Sequence, residues 1–539
     1  MAHMQRSIGL LSLTFIAISG ILGSGWLFAP LLAAKAAGPS ALIAWIIGGF
    51  AMLLLAATFA EIASILPVAG GIGRVPMFSH GSVVSMAMGW TAWVGYSTTA
   101  TIEVEAILRY SAGLAPWLYA DGHDLTVWGR VTACLLLLFF VVLNAFGVRL
   151  FARLNTGLTW IKIIVPALLA LVILSAEFRY ANFSAYGGFA PEGLKGILAA
   201  VSSGGVIFAL IGFRHIIDMA GEARNPQVNV PLALVLSLVV CVAIYAGLQI
   251  AFVGALSEKE LADGWAGLHF SSELGPMAAI TTAVGALWLV SILNISARIS
   301  SFASALVSVG SNARLGMAMA QNGLFPKFMQ HLSDRGVPMF ALFINFLASA
   351  AFFFALPFRE VIALNTVSIV LSFIVGPIAV VAFRSLLSDT KRAFKLPYVH
   401  VTACAAFIVA TLIIYWSGWH TMLHLSICIA VGLLLLMYRK LRGKLEELDW
   451  REAAWLVPYL AGIVGLSYAG SFGGGSGMMP VGPDMLVIAA FATAIFVLAV
   501  RSSLSQEKFD HYMAEEKADE IDEYGADGGG PIETTGVQR

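Results

Sequence analysis

Apolar runs of about 20 residues follow one another almost without pause from residue 8 to residue 501, each long enough to cross a bilayer as a helix. They fall near 8–33, 40–65, 83–112, 127–148, 154–176, 197–218, 229–255, 280–310, 338–357, 361–385, 401–418, 420–438, 454–471 and 484–501. About fourteen such runs in one chain leave few folds open. In hydrocarbon every backbone N–H and C=O has to be paired, which a helix does within its own segment. An all-α integral membrane protein is therefore expected, with the lipid bilayer as its surroundings. Composition agrees: 59% of residues are hydrophobic, 12% are charged and the mean hydropathy is +0.86, outside the usual soluble balance. A formal net charge of zero argues against a nucleic-acid partner. Cys134, Cys241, Cys404 and Cys428 sit inside apolar runs and read as small buried hydrophobes. The first apolar run is too long and too glycine-broken for a cleavable leader, so no signal peptide is expected.

Basic residues set the orientation. With the N-terminus inside, the cytoplasmic segments carry Arg6, Arg74, Arg149, Arg153, Arg224, Arg314, Lys327, Arg335, Arg384, Lys391, Arg392, Lys395, Arg439, Lys440, Arg442, Lys444 and Arg501. The opposite loops hold mainly Lys35, Arg179, Lys195, Lys259 and Arg359. That asymmetry predicts both termini in the cytoplasm.

Two runs are poor continuous helices. The first contains Ser19-Gly20-Ile21-Leu22-Gly23-Ser24-Gly25-Trp26. Glycine interrupts a helix and serine competes for its backbone bonds. Five helices later, the sixth run contains Ser202-Ser203-Gly204-Gly205 and then Phe208 to His215, with Gly212 and a charged Arg214. Unwound backbone at membrane depth is tolerated where it lines a cavity, and paired broken helices are where inverted-repeat carriers bind their cargo.

These residues resemble a known family. Gly23-Ser24-Gly25, Ala60-Glu61-Ile62-Ala63-Ser64 with Pro67 and Gly70-Gly71, Phe208 to Phe213, Gly221-Glu222-Ala223-Arg224-Asn225-Pro226 with Val230-Pro231, and Ala320 to Pro326 look like the amino acid–polyamine–organocation superfamily of transporters. Ile72-Gly73-Arg74 departs from it, since many members place a tyrosine after the double glycine. Within the superfamily, Ile217 to Glu222 and the extra C-terminal helices are most similar to bacterial aspartate:proton symporters. The resemblance implies a leucine-transporter-type inverted-repeat (5+5) fold with helices 1 and 6 broken. One repeat would span 8–176 and the other 197–385, followed by about four accessory helices over 401–501. The acidic, apolar-poor stretch 505–539 is expected to be a disordered cytoplasmic tail.

The resemblance also implies a site. The substrate carboxylate would meet the N–H groups of Gly23, Ser24 and Gly25, as anions do at helix N-termini. The ammonium would meet carbonyls freed at Ile21, Phe208 and Ile211. A guanidinium within a span is costly unless it has a partner, so Arg214 is a candidate for gripping an acidic side chain, with His215 beside it. The alternative is a structural pairing of Arg214 with Asp218 or Glu222. Lys162 lies about 9 residues, hence about 13 Å, inside the fifth run. In proton-coupled members a lysine matching it stands where related carriers hold sodium, so the proton is the expected coupling ion. Glu103 is a candidate proton acceptor or partner for Lys162, and Glu105, two residues on, must face elsewhere. Arg298 is expected to attract anionic substrates or pair with Glu103 or Glu105. Ser301, Ser304 and Ser308 are expected to line the pocket, and Phe208 to close over it. Glu61 reads as a gate or structural ion pair, and Trp90, Trp93, Trp117 and Trp128 as interfacial anchors.

An enzyme is not expected: the sequence has no His-rich metal motif, no Gly-x-Ser-x-Gly and no nucleotide loop, so neither cofactor nor metal is anticipated. The glycines near Gly20 have no preceding strand, which excludes a nucleotide site. The expected function is proton-coupled uptake of an acidic amino acid at the plasma membrane. A neutral amino-acid transporter, an exchanger and a non-transporting membrane sensor are the alternatives.

Overall fold

The computed structural model describes residues 8–525 apart from 67–70, 121–123, 147, 177, 269, 271–274, 334 and 442–447, and only the backbone of 148–156 and 517–525. Arg6, Pro67, Gly70, Arg442, Lys444 and the tail from 526 lie outside the described residues, as do the side chains of Arg149 and Arg153.

The chain is a bundle of helices. In order they are α1 (Leu10–Ile21), α2 (Gly25–Ala37), α3 (Ala41–Ile65), α4 (Gly71–Arg109), α5 (Val127–Ala145), α6 (Val148–Ser175), α7 (Gly193–Val201), α8 (Val206–Leu210), α9 (Arg214–Asp218) and α10 (Pro226–Ala255). There follow α11 (Pro276–Ala283), α12 (Leu287–Gln321), α13 (Met339–Ala355), α14 (Phe358–Phe373), α15 (Val375–Leu386), α16 (Val399–Trp416), α17 (Trp419–Leu441), α18 (Leu456–Ala469), α19 (Pro483–Arg501) and α20 (Gln506–Gly525). Among the described residues the strands are a two-residue pair, Tyr119–Ala120 with Asp124–Leu125.

Among the described residues, ten segments are long and apolar enough to cross a membrane, and three shorter apolar helices accompany them. One of the ten, Gly25–Ile65, holds both α2 and α3, separated by the turn Gly38–Ser40. The helix α4 is absent from that set because it carries arginine, histidine and many hydroxyl residues, although it packs at the bundle centre between α12 and α14. Around it, α10 lies against α3 and α6, and α1 is enclosed by α6, α10 and α12. The helices α16 to α19 cover one flank.

Three boundaries differ from the sequence pattern. The third run starts at Gly71, not near 83, because α4 continues through a kink at Gly81 (φ 78°, ψ −169°). The Asp449 carboxylate fills that kink, accepting from Ser82 N at 2.9 Å and Ser82 Oγ at 3.2 Å. A Cβ on Gly81 would lie 2.2 Å from it, so glycine is required there for both space and φ. The eighth run is divided, since Gly285 (φ 78°) separates α11 from α12. The tail expected to be disordered from 505 instead forms α20 as far as Gly525. Its composition is as polar as expected, but its partners lie on other elements. Phe509 is buried against Phe383, Lys508 reaches Asp449 (2.7 Å) and Glu452 (2.9 Å), Tyr512 donates to Asp449 (2.6 Å), and Glu516 pairs with Arg74.

The ionic brace under α20 has a defined pH range. Burial would raise the Asp449 carboxyl, but hydrogen bonds from Lys508, Tyr512 and Ser82 outweigh it and hold it below its ordinary 3.8. Burial would lower Lys508, and the two carboxylates raise it above its ordinary 10.5. A depressed carboxyl contributes above its ordinary value and is lost as pH falls through the lowered one; a raised amine contributes below its ordinary value and is lost as pH rises through the elevated one. The brace is therefore expected to be constant across the whole neutral range. Limited proteolysis after residue 505 should proceed at the same rate, relative to an unfolded peptide control, at pH 5.5 and pH 8.5; a faster cut at either end contradicts it.

Glu61 is a structural ion pair, one of its two expected roles. It is fully buried, receives Arg384 through Nε (2.6 Å) and Nη2 (2.8 Å), lies 3.2 Å from Arg392 Nε, and accepts from Leu396 N (2.7 Å). Bidentate geometry of this kind repays the cost of burying the charges. The same end of the bundle holds Ile8, bonded to Glu222 and Arg224, with Glu222 paired to Arg314 (2.9 Å) and Arg74 bonded to Asn322 (2.9 Å). This is the tail end of the molecule.

Candidate functional site

The two broken helices meet. Between α1 and α2 the backbone unwinds over Leu22–Ser24. Opposite, α8 and α9 are joined by the tight turn Ile211–Phe213. The two breaks approach backbone to backbone, a Cβ on Gly212 falling 2.2 Å from Gly20 C, and at Gly23 a Cβ would lie 2.2 Å from the side-chain Oε1 of Glu103. The Ser202–Gly205 break, with Gly205 at φ 86°, is a separate kink whose Ser202 bonds to Ile413 O and Ser417. Of the expected second break, it is the part from Phe208 to Arg214 that borders the site.

A gap of about 10 Å³ lies there, lined by Gly20, Ile21, Gly25, Thr99, Phe208 and Arg214 together with Glu103. That is room for about one water, so an amino acid enters only if the surrounding helices move apart. Phe208 borders it, as expected of a closing residue, and Ile211 lines it too.

The anion position at the start of α2 is occupied by the protein itself. Ser24 N donates to both Glu103 oxygens, at 3.1 and 2.9 Å, and Ser304 Oγ donates to Oε1 at 3.1 Å. Glu103 thus stands where a substrate carboxylate was expected, a position favoured for an anion by the helix dipole. The Ser24 hydroxyl is buried without a hydrogen-bond partner among the described residues. On the carbonyl side, Ile21 O accepts from Tyr245 Oη at 2.7 Å.

Lys162 is fully buried and makes its contacts with α1, donating to Ser19 O and, at 3.1 Å, to Ser19 Oγ. A cation at the C-terminal end of a half-helix meets its unpaired carbonyls and the negative end of its dipole. Lys162 and Glu103 make no direct ion pair among the described residues; each binds one side of the same break, near enough for the two charges to interact.

Arg214 is buried at 1% exposure. Its Nη2 donates to Thr99 Oγ1 at 2.7 Å, and its Cζ sits 4.1 Å above the Tyr96 ring. Of the two structural partners considered for it, Glu222 does not hold it, while Asp218 and the Tyr96 side chain lie close enough to interact with the guanidinium. Glu222 is taken by Arg314, and Asp218 accepts from the Tyr96 hydroxyl. Among the described residues, Nε and Nη1 of Arg214 have no hydrogen-bond partner. Two unsatisfied nitrogens on a buried guanidinium are costly, unless a ligand supplies the acceptors. His215 bonds to Ser311 Oγ at 3.0 Å, packed against Gly20.

The remaining expectations divide. Glu105 faces away from Glu103 and pairs with Arg109 at 3.0 Å. Arg298 pairs with neither glutamate; it donates to Tyr110 O, which ends α4, at 3.1 and 2.6 Å. Ser301 is buried near Ser304, and Ser308 donates to Tyr96 O. Trp117 and Trp128 are exposed, as anchors should be, but Trp90 and Trp93 are buried at 8% and 9%. Tyr96, Thr99, Tyr245 and Asn365, which holds Thr99 at 2.7 Å, were missed. The run Ser97-Thr98-Thr99-Ala100-Thr101 in mid-span was the available signal, because hydroxyls at membrane depth need partners inside the bundle.

Spanning helices broken in pairs around a narrow polar gap define a secondary carrier working by alternating access. The amino acid permease family profile matches residues 8–501, and the chain belongs to that family. It is 34% identical over 519 residues to the glutamate/serine transporter AimA of Bacillus subtilis, covering 94% of this chain and 96% of that one. It is also 34% identical over 519 residues to the aspartate-proton symporter of the same organism, covering 94% and 99%. The branched-chain amino acid permease BcaP of B. subtilis is 24% identical over 460 residues.

Proposed function

We propose that this transporter takes up an acidic amino acid, aspartate or glutamate, together with a proton, across a plasma membrane in which both termini and the tail end face the cytoplasm. The observation that carries the reading is Arg214, a buried guanidinium beside the gap with two nitrogens lacking acceptors. A carboxylate side chain supplies two acceptors in the geometry that a guanidinium fits. The α-carboxylate goes to Ser24 N and the free Ser24 hydroxyl, and the ammonium to the backbone oxygens of Ile21, Phe208 and Ile211. The two relatives named for glutamate/serine and aspartate-proton transport agree with this choice.

Coupling follows from Glu103. While ionised it holds the Ser24 amide and repels the substrate carboxylate that has to displace it; once protonated it is a weaker acceptor, as a glutamine is, and the like-charge clash disappears. Lys162 keeps the broken end of α1 in place and fills the position of a second cation. The cytoplasmic assignment of the tail end rests on the arginine- and lysine-rich loops found there. The division into repeats over 8–176 and 197–385, with accessory helices to 501, belongs to the same reading.

The test is uptake by purified protein in proteoliposomes. An inside-alkaline pH gradient should drive accumulation of labelled aspartate and glutamate, with alanine and arginine at background. Replacing sodium by choline at constant pH should leave the rate unchanged, and Lys162→Gln should abolish accumulation. Loss of uptake in choline would overturn proton coupling. Absence of counterflow for every amino acid would indicate a sensor.

A further inference from the structure

A second cavity, of about 980 Å³, lies at the tail end between α4, α17 and the segment joining α12 to α13. It shares no lining residue with the gap beside Glu103. Its inner wall is aromatic. The rings of Trp90 and Trp93 stack at 5.2 Å, and Phe325 meets them edge-on at 6.3 and 5.7 Å. Both indole N–H groups are already used, Trp90 on Cys428 O (2.7 Å) and Trp93 on Asn345 Oδ1 (2.6 Å). The wall therefore presents only apolar ring faces to the cavity.

The rim differs. Lys327 and Arg439 both line the cavity, and neither has an ion-pair partner among the described residues. Arg439 Nε is buried without a hydrogen-bond partner among the described residues. The outer lining, Leu435, Tyr438 and Phe328, is 43%, 55% and 44% exposed, and it lies at the end of a helix whose surface is mostly uncovered. Apolar depth, two unpaired cations at the rim and an opening on the flank together describe a molecule with hydrocarbon chains and an anionic head.

We propose that this cavity binds an anionic phospholipid, its acyl chains against Trp90, Trp93 and Phe325 and its phosphate between Lys327 and Arg439. Basic pockets between spanning helices bind such headgroups, each cation near the membrane surface adding to the attraction. A soluble anion would leave the aromatic wall uncovered, and a zwitterionic lipid would place its own cation beside Lys327 and Arg439. Phosphatidylglycerol is the probe that tests both points.

Native mass spectrometry of the full chain in detergent, with phosphatidylglycerol and phosphatidylcholine of identical chains in equal amounts, reads the preference directly. The wild type should retain one phosphatidylglycerol about tenfold or more in preference to phosphatidylcholine. In the double variant Lys327→Gln with Arg439→Gln the ratio should fall close to one, while the oligomeric state and melting of the protein stay unchanged. Equal retention of the two lipids by the wild type, or an unchanged preference in the double variant, overturns the proposal. So does displacement of the lipid by millimolar glycerol phosphate, which would mark a headgroup-only site, or a dimer peak in place of the lipid adduct.

Discussion

Replacing Arg214 by glutamine is expected to lower kcat/KM for aspartate by about two orders of magnitude, the cost of losing one partner of a buried charge pair. Glutamine ends two bonds short of the Nη2 that now meets Thr99 Oγ1 at 2.7 Å, so that contact is lost together with the charge while a neutral polar side chain stays in the wall of the gap. An unchanged melting temperature and a single monodisperse peak in detergent serve as the check that the variant folds. Arg214→Lys should recover only part of the aspartate rate, because an ammonium cannot offer two parallel N–H groups. The measurement is initial-rate uptake in proteoliposomes at several concentrations of each substrate. Aspartate transport that survives unchanged in Arg214→Gln assigns the guanidinium to the Thr99 and Tyr96 contacts alone, and the neutral-substrate alternative then takes over.

Substrate binding is expected to weaken by about tenfold for each unit of rising pH while Glu103 is ionised, and to become independent of pH in Glu103→Gln. The slope is that of linkage to one proton. Its source is competition: the carboxylate that accepts from Ser24 N at 2.9 and 3.1 Å holds the bond the substrate needs. A glutamine side chain keeps one acceptor oxygen for that amide and carries no charge, so binding persists while the proton requirement is lost. The variant should therefore show counterflow but no pH-driven accumulation. Equilibrium binding in detergent between pH 5 and pH 8 separates this from a purely structural role, under which both proteins would show the same slope.

The sequence made the bundle legible because hydrocarbon leaves a chain little choice. Span length and backbone pairing fix helices wherever apolar runs reach about 20 residues. The two breaks could be found for the same reason: glycine and serine at Gly20 to Gly25 and at Gly204 to Gly212 violate that pattern. Partners could not be read. Glu103 is 79 residues from Ser24, and nothing local to either predicts that one caps the other. The pairing of Lys162 with Ser19 rather than Glu103 depends on how α6 crosses α1. The aromatic anchors failed at Trp90 and Trp93 because residue type alone does not separate a ring at the membrane surface from one turned into a cavity. The tail failed most plainly, since the order of α20 comes from Asp449, Glu452, Arg74 and Phe383, none of which it contains.

The kink at Gly81 has a consequence for how the molecule is made. The segment from Gly71 to Gly81 lies near the start of the chain, yet the carboxylate that satisfies Ser82 comes from Asp449, and the cation and phenol that hold that carboxylate come from Lys508 and Tyr512. A ribosome delivers the first helices to the bilayer long before it reaches those residues. The inner quarter of α4 therefore waits unfinished through most of synthesis and is locked by the last described helix to emerge. Closing this network is expected to be a late step of folding, made by α20 and Asp449 and not by the first helices alone.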